Sequence, residues 1–309
     1  MITISKASPT DFKMTLLGSE QPGRKISSVT VLPDGSVLVA TYDNASRHNT
    51  YLYHRDNAGK VRLIYPLKDG EGVGETIGPG ILFGNSMFLP EENGHLLELT
   101  AEGISQKREL TFSAHATIFK GRPVVFDTRD GEITMWDCLA DDSLKFPGSG
   151  IVIQSLVIGN TIYAVSVDGD DGECGISGSN GIFMAIKDCF GICKFADRYF
   201  CTSGNKILEW THRFEEVAEM PCEKIMRLHL DADGNLLICG AGPDVLWLAE
   251  HKGGNITCRE LVRFPSDVAV GGSVFRTCVA GSVKGGIYFG RCQGGDTGEL
   301  HEIRGASPL

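Results

Sequence analysis

The stretch SVTVLPDGSVLVAT, residues 28–41, sets two alternating apolar runs on either side of a Pro-Asp-Gly turn. Alternation with period two is the mark of a strand with one face buried, and Asp-Gly supplies the turn that a tight hairpin needs. The same plan returns in GILFGNSMFLP (80–90), HATIFKGRPVVFDT (115–128), QSLVIGNTIYAVS (154–166), GICKFADRYFCTS (191–203), MRLHLDADGNLLICG (226–240) and FRTCVAGSVKGGIYFGR (275–291). A hairpin of this kind cannot bury its own apolar faces. Recurring copies must therefore pack against one another.

Further short strands follow most copies. TYLYHR (50–55) and KVRLIYPL (60–67) follow the first, and HLLELT (95–100) and SQKREL (105–110) the second. EITMWDC (132–138) with SLKF (143–146), and then GIFMAI (181–186), follow the third and fourth. KILEWTH (206–212), EEVAEM (215–220), DVLWLAEH (244–251), ITCRELVRF (256–264) and GELHEIR (298–304) complete the series. No helical periodicity is sustained for the roughly 10–12 residues a helix requires. Successive hairpins begin roughly 35 to 53 residues apart, close to the ~40–50 residues of a four-stranded propeller blade.

Over essentially its whole length the chain resembles the β-propeller superfold. The resemblance implies an all-β fold of seven blades, mostly four antiparallel strands each, in a single domain spanning 1–309. The last copy supplies only three strands, whereas ITISKA (2–7) and FKMTLL (12–17) precede the first. An open ring would leave blade faces bare. Residues 1–20 are therefore expected to pair with 298–304 and complete the blade of 266–309. A six-bladed or open arrangement is the competing architecture. VTVLPDGSVLVAT and LDADGNLLICG look like inner hairpins of lactonase-like or NHL-type propellers. Trp136-Asp137 is the single Trp-Asp pair of the type that ends WD40 blades, and no kelch double-glycine signature recurs.

Composition narrows the function classes. Apolar residues make up 42% and charged residues 22%, as in soluble globular proteins. The formal net charge of −10 opposes sequence-independent binding to nucleic acid, which needs clustered Lys and Arg. No apolar run reaches the ~18 residues of a membrane span. The N-terminus lacks the basic start and apolar stretch of a secretory signal. These features predict an acidic, soluble protein made in the cytoplasm, with no membrane insertion. All ten cysteines lie between Cys138 and Cys292, without a C-x-x-C pair. Several sit in strand patterns, as buried thiols do, while disulfides in a particle that later meets an oxidising medium are the alternative. Asn44-Ala-Ser46 and Asn255-Ile-Thr257 match a glycosylation tripeptide that matters only on export.

Chemistry-bearing motifs are sparse. H-E-x-x-H, G-x-S-x-G and the P-loop are all absent. The glycine-rich loop DGEGVGETIGPG (69–80) lacks dinucleotide-binding spacing and reads as a connection. In VDGDDGECGISGSNG (167–181), Asp168, Asp170, Asp171 and Glu173 crowd four carboxylates into six residues, a composition that suits Ca²⁺. Gly172 stands at the fifth position, where an EF-hand-like loop needs a carboxylate or amide, and Ser179 at the twelfth, where it needs Glu, so a solvated acidic loop without cofactor is the other reading. Asp231-Ala-Asp233-Gly-Asn235 reads as a structural turn. The inner strands carry His115, Gln154, Lys194, Arg227, His229 and Arg276, candidates for lining a central channel that would attract an anion or acidic side chain. Trp136, Trp210 and Trp247 fall in third strands, a placement that favours packing between blades over stacking on sugars.

With no catalytic constellation, the sequence predicts a non-catalytic binding or assembly module that meets other proteins through its loop faces. A subunit or accessory of a larger complex, such as a viral structural or receptor-binding component, fits that reading. The alternative is a channel-centred hydrolase, lactonase or lyase, with or without a metal.

Overall fold

In a computed structural model the described residues are 2–5, 13–19, 24–43, 50–65, 77–168, 174–264, 277–281, 286–293 and 297–304. They form only strands, turns and connecting loops. The first sheet joins β3 (Arg24–Val31), β4 (Val37–Asp43), β5 (Thr50–Arg55) and β6 (Val61–Tyr65), after β1 (Ile2–Ser5) and β2 (Lys13–Ser19). Three further four-stranded antiparallel sheets follow. One holds β7 (Ile81–Phe83), β8 (Ser86–Pro90), β9 (His95–Thr100) and β10 (Gly103–Glu109). The next holds β11 (Ala116–Phe119), β12 (Arg122–Arg129), β13 (Glu132–Asp137) and β14 (Ser143–Phe146). Then come β15 (Ile151–Ile158), β16 (Thr161–Val167), β17 (Cys174–Gly178) and β18 (Phe183–Ala185).

A fifth sheet of this form contains β19 (Ile192–Phe195), β20 (Arg198–Ser203), β21 (Lys206–Trp210) and β22 (Phe214–Glu219). Beyond it lie β23 (Lys224–Leu230), β24 (Leu236–Ala241), β25 (Val245–Lys252) and β26 (Asn255–Arg263), and β1 adds to β26 as a fifth, parallel strand. The chain ends in β27 (Thr277–Gly281), β28 (Ile287–Gln293) and β29 (Thr297–Arg304), with β2 antiparallel against β29. Among the described residues six sheets have four antiparallel strands, in line with the expectation of mostly four-stranded blades, and the sheet that takes up β1 has five.

The expected pairing of residues 1–20 as one piece is corrected. Lys13 lies opposite Arg304 and Ser19 opposite Glu299, but Ile2 lies beside Ile256 in the other sheet. Two needs explain the split. The outer edge of β26 presents unpaired backbone groups, which β1 satisfies. Ile2 is buried in the apolar cluster that contains Ile256 and Cys258.

The chain divides into two compact units, Met1–Val39 with His54–Arg62 and Phe190–Leu309, and Ala40–Tyr53 with Leu63–Cys189. The second unit shows how alternation builds its core. Along β12, Val124 and Phe126 turn toward Val152, Ile162 and Ala164, whereas Val125 turns toward Phe88, Leu96, Leu110 and Ala116. Both faces of this strand are buried, one against each neighbouring sheet. In the first unit β24 repeats the scheme. Leu236 and Ile238 join Phe200, Ile207 and Trp247, while Leu237 and Cys239 join Ile287, Phe289 and Ile303.

Buried thiols belong to these cores. Cys193 and Cys258 pack in one cluster and Cys239 in another, and Cys138, Cys174, Cys189, Cys201 and Cys222 are also free thiols. Burial pushes the Cys193, Cys258, Cys222 and Cys138 thiols up to about 12, which makes them poor nucleophiles at neutral pH. The side chains of Cys278 and Cys292 lie outside the described part of the chain.

Candidate functional site

The inner-strand candidates have separate surroundings. In the second unit, His115 Nε2 lies 2.9 Å from Ser155 Oγ, and its ring stacks on Phe126 with 6.0 Å between centroids. Gln154, the residue before Ser155, is half-buried and stands where the β15–β16 register shifts. In the first unit Lys194 is exposed and pairs with Asp197 at 2.9 Å. Arg227 follows the register shift of β23, and His229 stands two residues on. Burial pushes the His229 imidazole down to about 4; Asp231 opposes the shift and Arg227 adds to it. Arg276 lies outside the described residues.

One position of the inner strands is unexpectedly apolar. The residue before the last in β7, β11 and β15 is Leu82, Ile118 and Val157, respectively 45%, 38% and 38% exposed. Lys194 holds the same place in β19. Polar character at this inner position is therefore local to β19 among these four strands.

The acidic loop is only partly described. Asp168 is exposed and accepts a hydrogen bond from Ser149 Oγ at 3.0 Å, while Asp170, Asp171 and Glu173 lie outside the described residues. No group of three His, Cys, Asp or Glu side chains positioned for a metal occurs among the described residues. Asp231 serves its turn: its carboxylate accepts the Asp233 and Asn235 backbone N–H groups at 2.9 and 2.8 Å. Gly234 sits in that turn at φ 79°, a region open to glycine and costly for other residues.

A polar cleft of about 320 Å³ lies in the second unit, lined by Arg108, Glu109, Asp127, Arg129, Thr134 and Trp136, with Asp130 and Glu132 at the turn. Strand register builds one wall. Val125 lies opposite Trp136, Asp127 opposite Thr134 and Arg129 opposite Glu132, so these side chains share a face of β12–β13. The other face carries Phe126, Ile133 and Met135 into the core. From β10, the Arg108 guanidinium lies 4.3 Å from the centre of the Trp136 ring and donates to Asp141 Oδ1 at 2.7 Å. This cation–π contact holds both groups in place.

Thr111, just after β10, organises the floor. Its N–H donates to Asp127 Oδ1 at 2.8 Å and its hydroxyl accepts from Arg129 Nε at 3.0 Å. Burial raises the Asp127 carboxyl above its usual range, against the Thr111 N–H bond and the Arg129 charge, which favour the carboxylate. Arg129 makes no ion pair among the described residues, so part of its guanidinium is available to a ligand. The sequence carries one signal for this wall. In DTRDGEITMW (127–136), Asp127, Arg129, Glu132, Thr134 and Trp136 occupy alternate positions on either side of the Asp-Gly turn. Nothing local marks Thr111, which lies in the connection that follows β10. A second depression, of about 550 Å³ in the first unit, is wide and shallow, lined by Asn205, Glu219, Met220, Pro221, Cys222 and Gly242.

No protein-family model and no curated protein sequence matches the chain. Solved structures do. A catalytically inactive histidine-to-alanine variant of virginiamycin B lyase from Staphylococcus aureus, solved with quinupristin, aligns over 95% of this chain and 99% of its own, at TM-score 0.63 and 15% identity. The WD40 β-propeller domain of Doa1 aligns over 94% and 97%, at TM-score 0.62 and 10% identity. The extracellular domain of a putative hybrid two-component system from B. thetaiotaomicron aligns over 94% of this chain and 39% of its own, at TM-score 0.64 and 12% identity. At these identities the likeness is one of fold, and the proteins that share it include a lyase and a WD40 domain. The chain is an all-β protein of the β-propeller fold, built from antiparallel four-stranded blades.

Proposed function

We propose that the chain is a non-catalytic binding module that takes a mixed-charge segment of another protein into the cleft beside Trp136. The observation that carries this reading is the cleft's construction. It combines a half-buried tryptophan, a guanidinium stacked on it, a second guanidinium with spare donors and carboxylates of Asp127, Asp130 and Glu132, all on braced strands. Trp and Arg are the residues most often found to dominate protein–protein binding energy. Groups of both signs select a segment that carries both signs, because an unmatched charge loses its solvation on entry. Membership of a larger complex, and a single propeller domain over the whole chain, belong to the same proposal.

Panning a displayed random-peptide library on the intact protein tests it. Selected peptides should carry acidic and basic residues together. Trp136→Ala and Arg129→Ala should each weaken them by about tenfold or more, the loss of one well-placed contact. Peptides that bind both variants as tightly as the unmodified protein would show that the cleft is not the site.

A further inference from the structure

A second polar centre lies close to the cleft. Glu91, in the turn between β8 and β9, is completely buried, with 0% exposure. Its Oε2 accepts the His95 backbone N–H at 3.3 Å and the Tyr65 hydroxyl at 3.5 Å, while its Oε1 has no hydrogen-bond partner. His95 Nδ1 is buried without a partner too. There is no room for solvent on one side, since a Cβ on Gly94 would fall 2.3 Å from Glu91 Oε2.

The turn is tied to the cleft by Thr111. The Asn93 N–H donates to Thr111 O at 2.6 Å, and the neighbouring Leu110 N–H donates to Gly94 O at 2.8 Å. Thr111 thus touches the Glu91 turn through its carbonyl, and Asp127 and Arg129 through its N–H and hydroxyl. We propose that the Glu91 turn is a proton-controlled brace, holding Thr111 and with it the cleft's Asp127 and Arg129 while Glu91 is neutral, and loosening when Glu91 ionises. The link to ligand binding rests on the binding-module reading; the brace itself does not.

The surroundings of Glu91 favour its neutral form. Facing it are Tyr65 from β6 and His95 from β9, with Glu92 buried next to it in the turn. On β10, Glu109 lies opposite His95, and Gln106 bonds the Tyr65 hydroxyl. No Lys or Arg forms an ion pair with it among the described residues. Burial accordingly raises the Glu91 carboxyl to about 8, although the His95 N–H and the Tyr65 hydroxyl work the other way. Burial first, and then the Glu91 charge, raise the Tyr65 phenol to about 12, so Tyr65 stays a donor throughout. Above pH 8 a full charge stands on a carboxylate with an unpaired oxygen, and the cheapest response is to open the turn to water.

Two measurements on the whole protein test the brace. A ¹³C-carboxyl titration of the unmodified chain should place Glu91 near pH 8; a midpoint near the ordinary 4.5 overturns the proposal. Amide hydrogen exchange between pH 6 and 9.5, corrected for intrinsic rates, should show Asn93 and Thr111 losing protection together, by about tenfold or more. The Phe126 amide, bonded to His115 O away from the turn, should keep its own. In Glu91→Gln both sites should stay protected across the range. Loss of protection at Asn93 with Thr111 unchanged, or the same loss in Glu91→Gln, also overturns it. If Asn93 and Thr111 loosen together while no peptide binds the cleft, the brace stands and only the binding reading falls.

Discussion

At the scale of single residues, burial decides what the polar groups do. His229 carries the clearest pH consequence in the first unit. Its folded value, about 4, lies below the usual 6.5, so the unfolded chain binds the extra proton between those values. Stability is therefore fully present above pH 6.5 and falls as pH drops toward 4. Urea midpoints measured from pH 7.5 to 4.5 should decline less steeply in His229→Gln than in the unmodified protein; parallel declines would exclude His229 as the source. The sequence placed this histidine on an inner strand as a lining candidate. How far it is enclosed depends on what packs around β23, which no local pattern encodes. Tryptophan is the opposite case: Trp247 is completely buried in a core, in keeping with the third-strand placement, whereas Trp136 keeps a half-exposed face beside Arg108.

At the scale of elements, turns and strand faces were legible in advance because they depend on near neighbours. Asp-Gly and Asp-x-Asp-Gly stretches become turns whose Asp carboxylates accept the backbone N–H groups ahead of them, as Asp34 does for Ser36 at 2.9 Å. β12 goes beyond what alternation by itself implies and buries both of its faces. Phe126 lies at the centre of one, packed edge-on against Phe146 at 5.5 Å, and Phe126→Ala should cost about 3–5 kcal/mol in chemical denaturation. A loss under about 1 kcal/mol would mean that the site collapses around the cavity. The β8–β9 turn was not legible in the same way. Its glycine reads as an ordinary turn residue in EENGH, and only the position of the Glu91 carboxylate makes its hydrogen necessary.

At the scale of the whole molecule, the N-terminal strands join sheets whose other strands come from the last third of the chain. β1 covers the edge of β26 and β2 the edge of β29. Removing residues 1–19 would uncover both edges and the cavity left by Ile2. The truncated protein should unfold at lower urea and self-associate, as read by denaturation and light scattering. An unchanged midpoint with no association would show that these strands add nothing to the fold. The sequence by itself determined the hairpin repeat, its turns and the inward faces of the strands, because a two-residue period and turn chemistry act over a few residues. Only the tertiary structure decided that β1 and β2 part to different sheets, that Leu82, Ile118 and Val157 face solvent, and that Thr111 joins the Glu91 turn to the cleft. Those outcomes depend on which edges and polar groups remain unsatisfied once distant strands have packed, and a linear pattern does not carry that information.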